Sequence, residues 1–357
     1  MASLTKKGQL IHDVTVRFQV YLERLKAGEV RRMDAAIRQL DVAVRRALSN
    51  IGDAPSRTAL ERKLTSLRKQ MINIADKNQE TYLKTLRQFS TYATQFHGNT
   101  INLVLPATAP ALTTSSTAAV WSGVLSSPIQ ATGTLLEPFI QTWGRATAAR
   151  VESAIRTGYA QGLTTDEIVR RIRGTKASGF TDGILGGVTK REANAMVRTS
   201  LQHVNNAAQQ MVYEDNADII EGYIWIATLD NRTTSTCRSL DGQQFPDKQG
   251  RSPVPPIHVN CRSTTIPKIK GVDLLNNTTR ASKDGQVPAG QTYYEWLKNQ
   301  PASFQDDALG TTRAQLFRNG GLSAKQFADL SLDKNFQPLT LEEMRQKNPS
   351  AFDRAGL

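Results

Sequence analysis

The sequence predicts an α+β fold that is predominantly α-helical, and three observations carry that expectation. Apolar residues in the first hundred positions recur at three and four, the spacing that lines one face of a helix. One short run rich in β-formers, Gly222-Tyr223-Ile224-Trp225-Ile226-Ala227-Thr228-Leu229, reads as a strand. Of the scarce ligand-type residues, 2 Cys and 4 His in 357 residues, both cysteines and one histidine fall within one stretch of 25 residues after that strand. The expected architecture is long N-terminal helices, an uncharged extended arm, a helical middle with a small Cys/His-containing β-hairpin module, and short C-terminal helices. The segments are a basic helical hairpin over 1–97, an uncharged Ser/Thr/Ala/Pro arm or linker over 98–137, a core domain with the Cys/His motif over 138–270, and a C-terminal helical region over 271–357.

Leu10, Val14, Phe18, Tyr21 and Leu25, then Met33, Ile37, Leu40, Val44 and Leu48, form one apolar stripe. After a break at Ile51-Gly52-Asp53-Ala54-Pro55 a second runs through Leu60, Leu64, Leu67, Met71 and Ile74, continuing less regularly to Leu86, Ala93 and Phe96. Two long helices folded on each other would bury both. The first hundred residues hold 18 Lys and Arg against 9 Asp and Glu, so +9 of the total +13 lies there. Arg31, Arg32, Arg45, Arg46, Arg62, Lys63, Arg68 and Lys69 are the candidate nucleic-acid contacts, with a plain solvated basic face as the competing reading.

The charge excess and a pI near 9.8 suit a polyanionic neighbourhood without identifying the anion. A mean hydropathy of −0.41 and the lack of any run near ~20 apolar residues argue against a membrane span. Two cysteines cannot staple a chain of this length. The opening MASLTKKGQLIHDVTVRF lacks the apolar core of a secretory signal, so retention in the compartment of synthesis is expected. There, free thiols or metal ligands suit Cys237 and Cys261 better than a disulfide.

From Gln88 to Leu136 no side chain is charged over 49 residues. That stretch reads as an arm lying over its own domain or docking on a neighbouring subunit. Pro138 opens a helix through Phe139, Trp143, Val151, Ile155 and Tyr159 to Gly162. Capping boxes at Thr164–Glu167 and Thr189–Glu192 predict two more helices, the first ending at Gly174, the second burying Met196, Val197, Leu201, Val204 and Met211. The intervening GFTDGILGGVT lacks the glycine order of a phosphate loop. After Pro267 comes a polar connector to Gly290, then short helices over 293–298, 311–318 and 323–330, and a last one capped by Thr340 and Glu343.

Cys237, His258 and Cys261 fall within 25 residues. His-x-x-Cys lets both side chains reach one ion from a tight turn, and Cys237 can close from across a hairpin. Zinc takes four ligands, typically thiolate and imidazole in structural sites, so a fourth would be Asp230, Asp241, water or a neighbouring chain. Metal-free packing, with the cysteines as small buried hydrophobes, is the other reading. Asp230 and Arg232 can pair or cap the turn after the strand, Gly242 marks a reversal, and Arg262 is placed to fork onto Asp230 or Asp241.

These residues carry a family resemblance. Arg198-Thr199, Trp225 with Asp230-Asn231-Arg232-Thr233, Cys237 with Leu240-Asp241-Gly242, and Pro255 with His258 and Cys261-Arg262 resemble, in order, the signature of phage minor head proteins of the Mu F-like, or head morphogenesis, family. The similarity covers about residues 150 to 267. Tyr294-Glu295-Trp296-Leu297 and Leu309-Gly310 also resemble the tails of such proteins. Many members have Cys-x-x-Cys where this chain has Thr234-Ser235-Thr236-Cys237, so one thiolate is missing.

The resemblance implies a minor structural protein of a tailed-phage head, made in the host bacterial cytoplasm and residing in the virion, inside the capsid near the portal vertex. It would act in head assembly and in genome packaging or ejection with the DNA, and would not be an enzyme. The implied partners are the portal protein, packaged double-stranded DNA bound without sequence preference, and the scaffold or major capsid protein, with several copies around the portal ring. The alternatives are a metal-dependent nuclease, with His258 and Asp230 holding the ion, and a zinc-containing nucleic-acid-binding module.

Overall fold

The structure is a computed structural model that describes residues 2–49, 51–106, 108–246, 252–275 and 278–357, with side chains left out at 2–13 and Val16. Leu10 and His12 therefore lie outside the described side chains, as does part of the proline-rich turn before Pro253. The elements run α1 (Ala2–Ser49), α2 (Arg57–Asn102), α3 (Thr117–Ser126), α4 (Leu136–Ala160), α5 (Thr165–Arg173), a π-helical turn (Ile184–Thr189), α6 (Lys190–Glu214), β1 (Ile220–Ile226), α7 (Ser235–Leu240), β2 (Gln244–Pro246), β3 (Thr264–Ile269), β4 (Thr279–Ser282) and β5 (Gly285–Pro288). Short helices follow: α8 (Tyr293–Lys298), α9 (Ala302–Leu309), α10 (Thr311–Asn319), α11 (Ala324–Ser331), α12 (Leu341–Lys347) and α13 (Pro349–Ala355). The fold is α+β and mostly helical, as the periodicity predicts.

Contacts gather the chain into two compact units, each assembled from segments distant in sequence. One comprises Val20–Tyr92 and Trp121–Asn205. Its α1 buries Leu22, Met33, Ile37, Leu40, Val44 and Leu48, and its part of α2 buries Leu64, Leu67, Met71, Leu86 and Phe89. The inner stripe passes through Leu22 rather than Tyr21, which is 40% exposed and packs at 5.0 Å against exposed Tyr92. The stripe also includes Lys26 and Glu29, both fully buried. Lys26 donates to Gln202 on α6 at 2.8 Å and to Glu23 at 2.9 Å, which supplies partners that a buried ammonium needs. A hydrophobicity pattern cannot show such a residue, because its partner lies 176 positions away.

The Thr164 capping box forms as expected and α5 ends at Gly174, whose φ of 96° suits a residue without a Cβ. The capping box expected at Thr189 does not form. Thr189 instead ends a π-helical turn that runs straight into α6, and its carbonyl accepts from buried Trp143 Nε1 at 3.1 Å. The glycines of that loop allow close approach: a Cβ on Gly186 would lie 1.8 Å from the Phe180 carbonyl oxygen.

The other unit comprises Met1–Gln19, Ala93–Val120 and Asn206–Leu357. Its sheet has the order β2-β1-β3, antiparallel throughout, with Tyr223 opposite Phe245 and Trp225 opposite Thr265. Gly222, at φ 151° and beside a bulge, lets β2 pass so closely that a Cβ would meet the Phe245 oxygen at 2.1 Å. One core beside the sheet joins Tyr223, Trp225, Cys237, Leu240 and Cys261, and a second joins Tyr293, Tyr294, Trp296, Phe317, Phe327 and Phe352 of the C-terminal helices. The polar connector before Gly290 holds the β4–β5 hairpin, and the C-terminal region holds α9 and α13 in addition to the expected helices.

The uncharged segment is not extended throughout. Within it α3 forms with Val120 and Val124 buried four residues apart, a pattern too short to stand out in a Ser/Thr/Ala-rich stretch. Thr113 and Ser115 are tied to their own chain, donating backbone N–H to Asn216 and Asp215 at 2.8 and 2.6 Å.

Candidate metal and structural centre

β1 ends at Ile226, and the chain turns through Asp230 into α7, which presents Cys237 from its first turn. A reversal at Gly242, with φ 79°, returns the chain as β2, and the Gly242 N–H donates to the Trp225 carbonyl at 2.9 Å. The loop before β3 then makes a tight turn in which the Cys261 N–H donates to the His258 carbonyl at 3.2 Å. These local geometries bring Cys237, His258 and Cys261 together, with one donor atom from each within 4.8 Å of the others. Among the described residues no other such group of three occurs. The Cys237 and Cys261 sulfurs are 3.7 Å apart, and Cys237 Sγ lies 3.1 Å from His258 Nε2.

The protons of this cluster are unevenly shared. The hydrogen bond with Cys261, then burial, pushes the Cys237 thiol well up. The hydrogen bond from Cys237 and the neighbouring His258, against burial, hold Cys261 well below the usual thiol range. Burial is the largest influence on His258 and lowers it, yet the hydrogen bond and charge of Cys261 leave it raised on balance.

The residues fit a zinc ion. Bonds of about 2.3 Å in a tetrahedron separate two sulfurs by about 3.8 Å, close to the 3.7 Å found. His258 Nδ1 sits 2.9 Å from the Val259 carbonyl, which favours the tautomer that leaves Nε2 to face the sulfurs. The hydroxyls of Thr234 and Ser263 both hydrogen-bond Cys237, and Thr234 stands at the position where family members carry the first cysteine of Cys-x-x-Cys. Thr234 itself is exposed.

Neither expected carboxylate completes the set. Asp230 is taken by the guanidinium of Arg262, at 2.6 and 2.8 Å, and by the backbone N–H groups of Arg232 and Thr233, so it caps the turn. Asp230, the second residue of the metal-dependent nuclease reading, is not part of the Cys237, His258 and Cys261 group. Arg232 is exposed and contributes to this turn through its backbone. Asp241 is fully buried and accepts from Arg280 at 2.9 and 3.0 Å, from Ala227 N at 2.7 Å and from Tyr293 N at 2.6 Å. Arg262 therefore forks onto Asp230, while Asp241 ties the strand end to the β4–β5 hairpin and to α8.

Arg280, inside the polar connector, and buried Arg238, which stacks 5.3 Å from the Tyr293 ring, are the structural residues that sequence reading missed. Adjacency to Cys237 was the available signal for Arg238, and Arg280 gave none. Of the remaining motif residues, Trp225 and Thr199 are fully buried, and Arg198 pairs with Glu23 at 2.7 Å in the helical unit. The eight basic candidates of the first two helices are all exposed, with Arg32, Arg45 and Arg68 paired to Glu29, Asp41 and Glu152. Of the other histidines, His203 sits 3.2 Å from the Val124 carbonyl and His97 packs edge-on against Phe18 and Phe96.

The site is thus a closed Cys/His turn, with one arginine–carboxylate fork at its rim and a second one buried beside it. Residues 149–266, about a third of the chain, match the family described as Phage Mu protein F like protein. The matched residues span the Arg198-Thr199 helix, the sheet and the Cys/His turn. The chain is also 24% identical over 177 residues to an uncharacterized protein of Haemophilus influenzae, covering 48% of this chain and 36% of that one. It thus spans about a third of that relative's length. No solved structure matches.

Proposed function

We propose that the protein is a minor structural component of a tailed-phage head, acting in head assembly at or near the portal inside the capsid and meeting the packaged DNA there. The observation that carries this reading is the Mu F-like match over residues 149–266, a segment that holds the Cys/His turn and the Asp230–Arg262 fork. No described helix is long and apolar enough to cross a membrane. The exposed basic face of α1 and α2 supports a polyanionic partner, and attraction of this kind is sequence-independent and weakens with salt. A structural rather than catalytic role accords with the forks that occupy Asp230 and Asp241. Mass spectrometry of purified virions before and after genome release, with the portal protein as standard, tests the proposal. Substoichiometric copies in full heads are expected, lost with the DNA if the protein is ejected and retained if it is a fixed part of the vertex. Absence from particles and from assembling proheads overturns it.

The spacing of the sulfurs supports a second element of the reading: Cys237, His258 and Cys261 hold zinc, with water or the Thr234 hydroxyl in the fourth position. Bound there, the ion would cross-link α7 to the turn before β3 and add its binding energy to the fold. Metal analysis of protein purified without chelator is expected to give about one zinc per chain. Metal-free protein that stays metal-free after incubation with zinc overturns this element.

A further inference from the structure

Within the helical unit, α1 places Arg24, Arg31, Arg38 and Arg45 seven residues apart, and all four are exposed. Seven residues on an α-helix return to nearly the same azimuth, drifting by ∼20°, and advance about 10.5 Å. The four guanidiniums therefore form one row about 32 Å long on a rigid rod. Arg24, Arg31 and Arg38 make no hydrogen bond or ion pair among the described residues, and Arg45 pairs with Asp41 at 3.2 Å. The carboxylates flanking the row are already engaged, Asp34 by Lys190 at 3.1 Å and Asp41 by Arg45 and by Arg173 at 3.5 Å.

Between the arginines, at the four-residue offset, stand Gly28, Ala35 and Val42. Gly28 faces open space, since a Cβ there would meet nothing within 4 Å, and Val42 is 44% exposed. The row thus rises from a low floor that lets a flat partner approach the helix backbone. Asp34 and Asp41 also stand between the arginines, at the three-residue offset, and an apolar seam would not place arginine at every seventh position.

We infer that this row is the polyanion-binding site of the protein and that its ligand is the phosphate backbone of duplex DNA, gripped without sequence preference. The inference rests on the proposed head role and sharpens it to particular residues. Guanidinium forks match phosphate oxygens bidentately. A row about 32 Å long covers roughly one repeat of B-DNA, about 34 Å, so a rod lying along the duplex meets the backbone at successive crossings. Arg24 and Arg38 complete a site of which Arg31 and Arg45 are the other half.

The test uses the full chain and a random-sequence duplex of about 30 base pairs, with fluorescence anisotropy across a salt series. The variant Arg24→Gln/Arg31→Gln/Arg38→Gln/Arg45→Gln is compared with a charge-matched control on exposed positions outside the first two helices, Arg145→Gln/Arg170→Gln/Lys176→Gln/Arg191→Gln, with circular dichroism confirming that both are folded. The row variant is expected to lower the slope of log affinity against log salt by about 3 to 4, from about 0.9 per phosphate contact, and to lose at least about tenfold more affinity than the control. Equal losses in the two variants, or no loss in the row variant, overturn the inference while leaving the head role to the virion measurement. Wild-type protein that binds poly-glutamate but no DNA also overturns it and identifies an acidic protein as the occupant.

Discussion

Two arginine–aspartate forks close the sheet module, and they differ in what surrounds them. Asp241 and Arg280 are 0% and 7% exposed, and the carboxylate also accepts two backbone N–H groups. Asp230 and Arg262 are 19% and 20% exposed, at a turn rim where water still reaches. The same pairing therefore does different work. The buried fork leaves an uncompensated charge in the core if either partner goes, whereas the rim fork leaves a charge that solvent can partly accommodate. The comparison teaches that the hinge between the strand and the C-terminal helices is fixed by Asp241, and that Asp230 mainly shapes the turn leading to Cys237.

The most direct way to break the buried fork is Arg280→Ala, expected to cost about 3–5 kcal/mol in chemical denaturation. A loss below about 1 kcal/mol would show that Asp241 is satisfied by its backbone donors alone. The matching change at the rim, Arg262→Ala, is expected to cost about 1–2 kcal/mol. Double-mutant cycles would sharpen the contrast, with the larger coupling energy at Asp241–Arg280. Next in size, Thr234→Cys restores the Cys-x-x-Cys spacing beside the rim fork. Zinc affinity in a competitive chelator titration is expected to rise by at least about tenfold, or 1.4 kcal/mol, and an unchanged affinity would mean that position 234 does not face the ion.

The smallest effect extends the contrast between buried and rim groups to the helical unit. Burial holds His203 below its usual value near 6.5, against the weaker upward pull of its hydrogen bond to the Val124 carbonyl. The fold therefore prefers the neutral ring, while the unfolded chain takes up a proton as pH falls below that value. Stability is expected to fall with decreasing pH from about 6.5, by at most about 1.4 kcal/mol per unit. His203→Gln should flatten that part of the profile, and an unchanged slope would assign the loss to other groups.

Much of this was legible in the amino-acid order. The stripe ending at Leu48, the Thr164 and Thr340 capping boxes, the strand around Trp225 and the Cys237, His258 and Cys261 spacing are local patterns, and local chemistry sets them. Lys26 was not legible, because burying an ammonium depends on Gln202 arriving from another helix. Thr189 resembled a cap, but the loop's glycines let a π-helical turn pack ahead of α6.

By itself the sequence determined the helical character, the basic excess of the first hundred residues, the family signature and the identity of the three clustered Cys and His residues. Only the tertiary structure decided which carboxylate pairs with which arginine, because Arg262 and Arg280 are both within chain reach of Asp241 and the choice depends on where β3 and the β4–β5 hairpin come to rest. It also decided that Asp230 caps a turn instead of facing the sulfurs. A carboxylate has few lone pairs to share, and the guanidinium and N–H groups nearest to it in space claim them first.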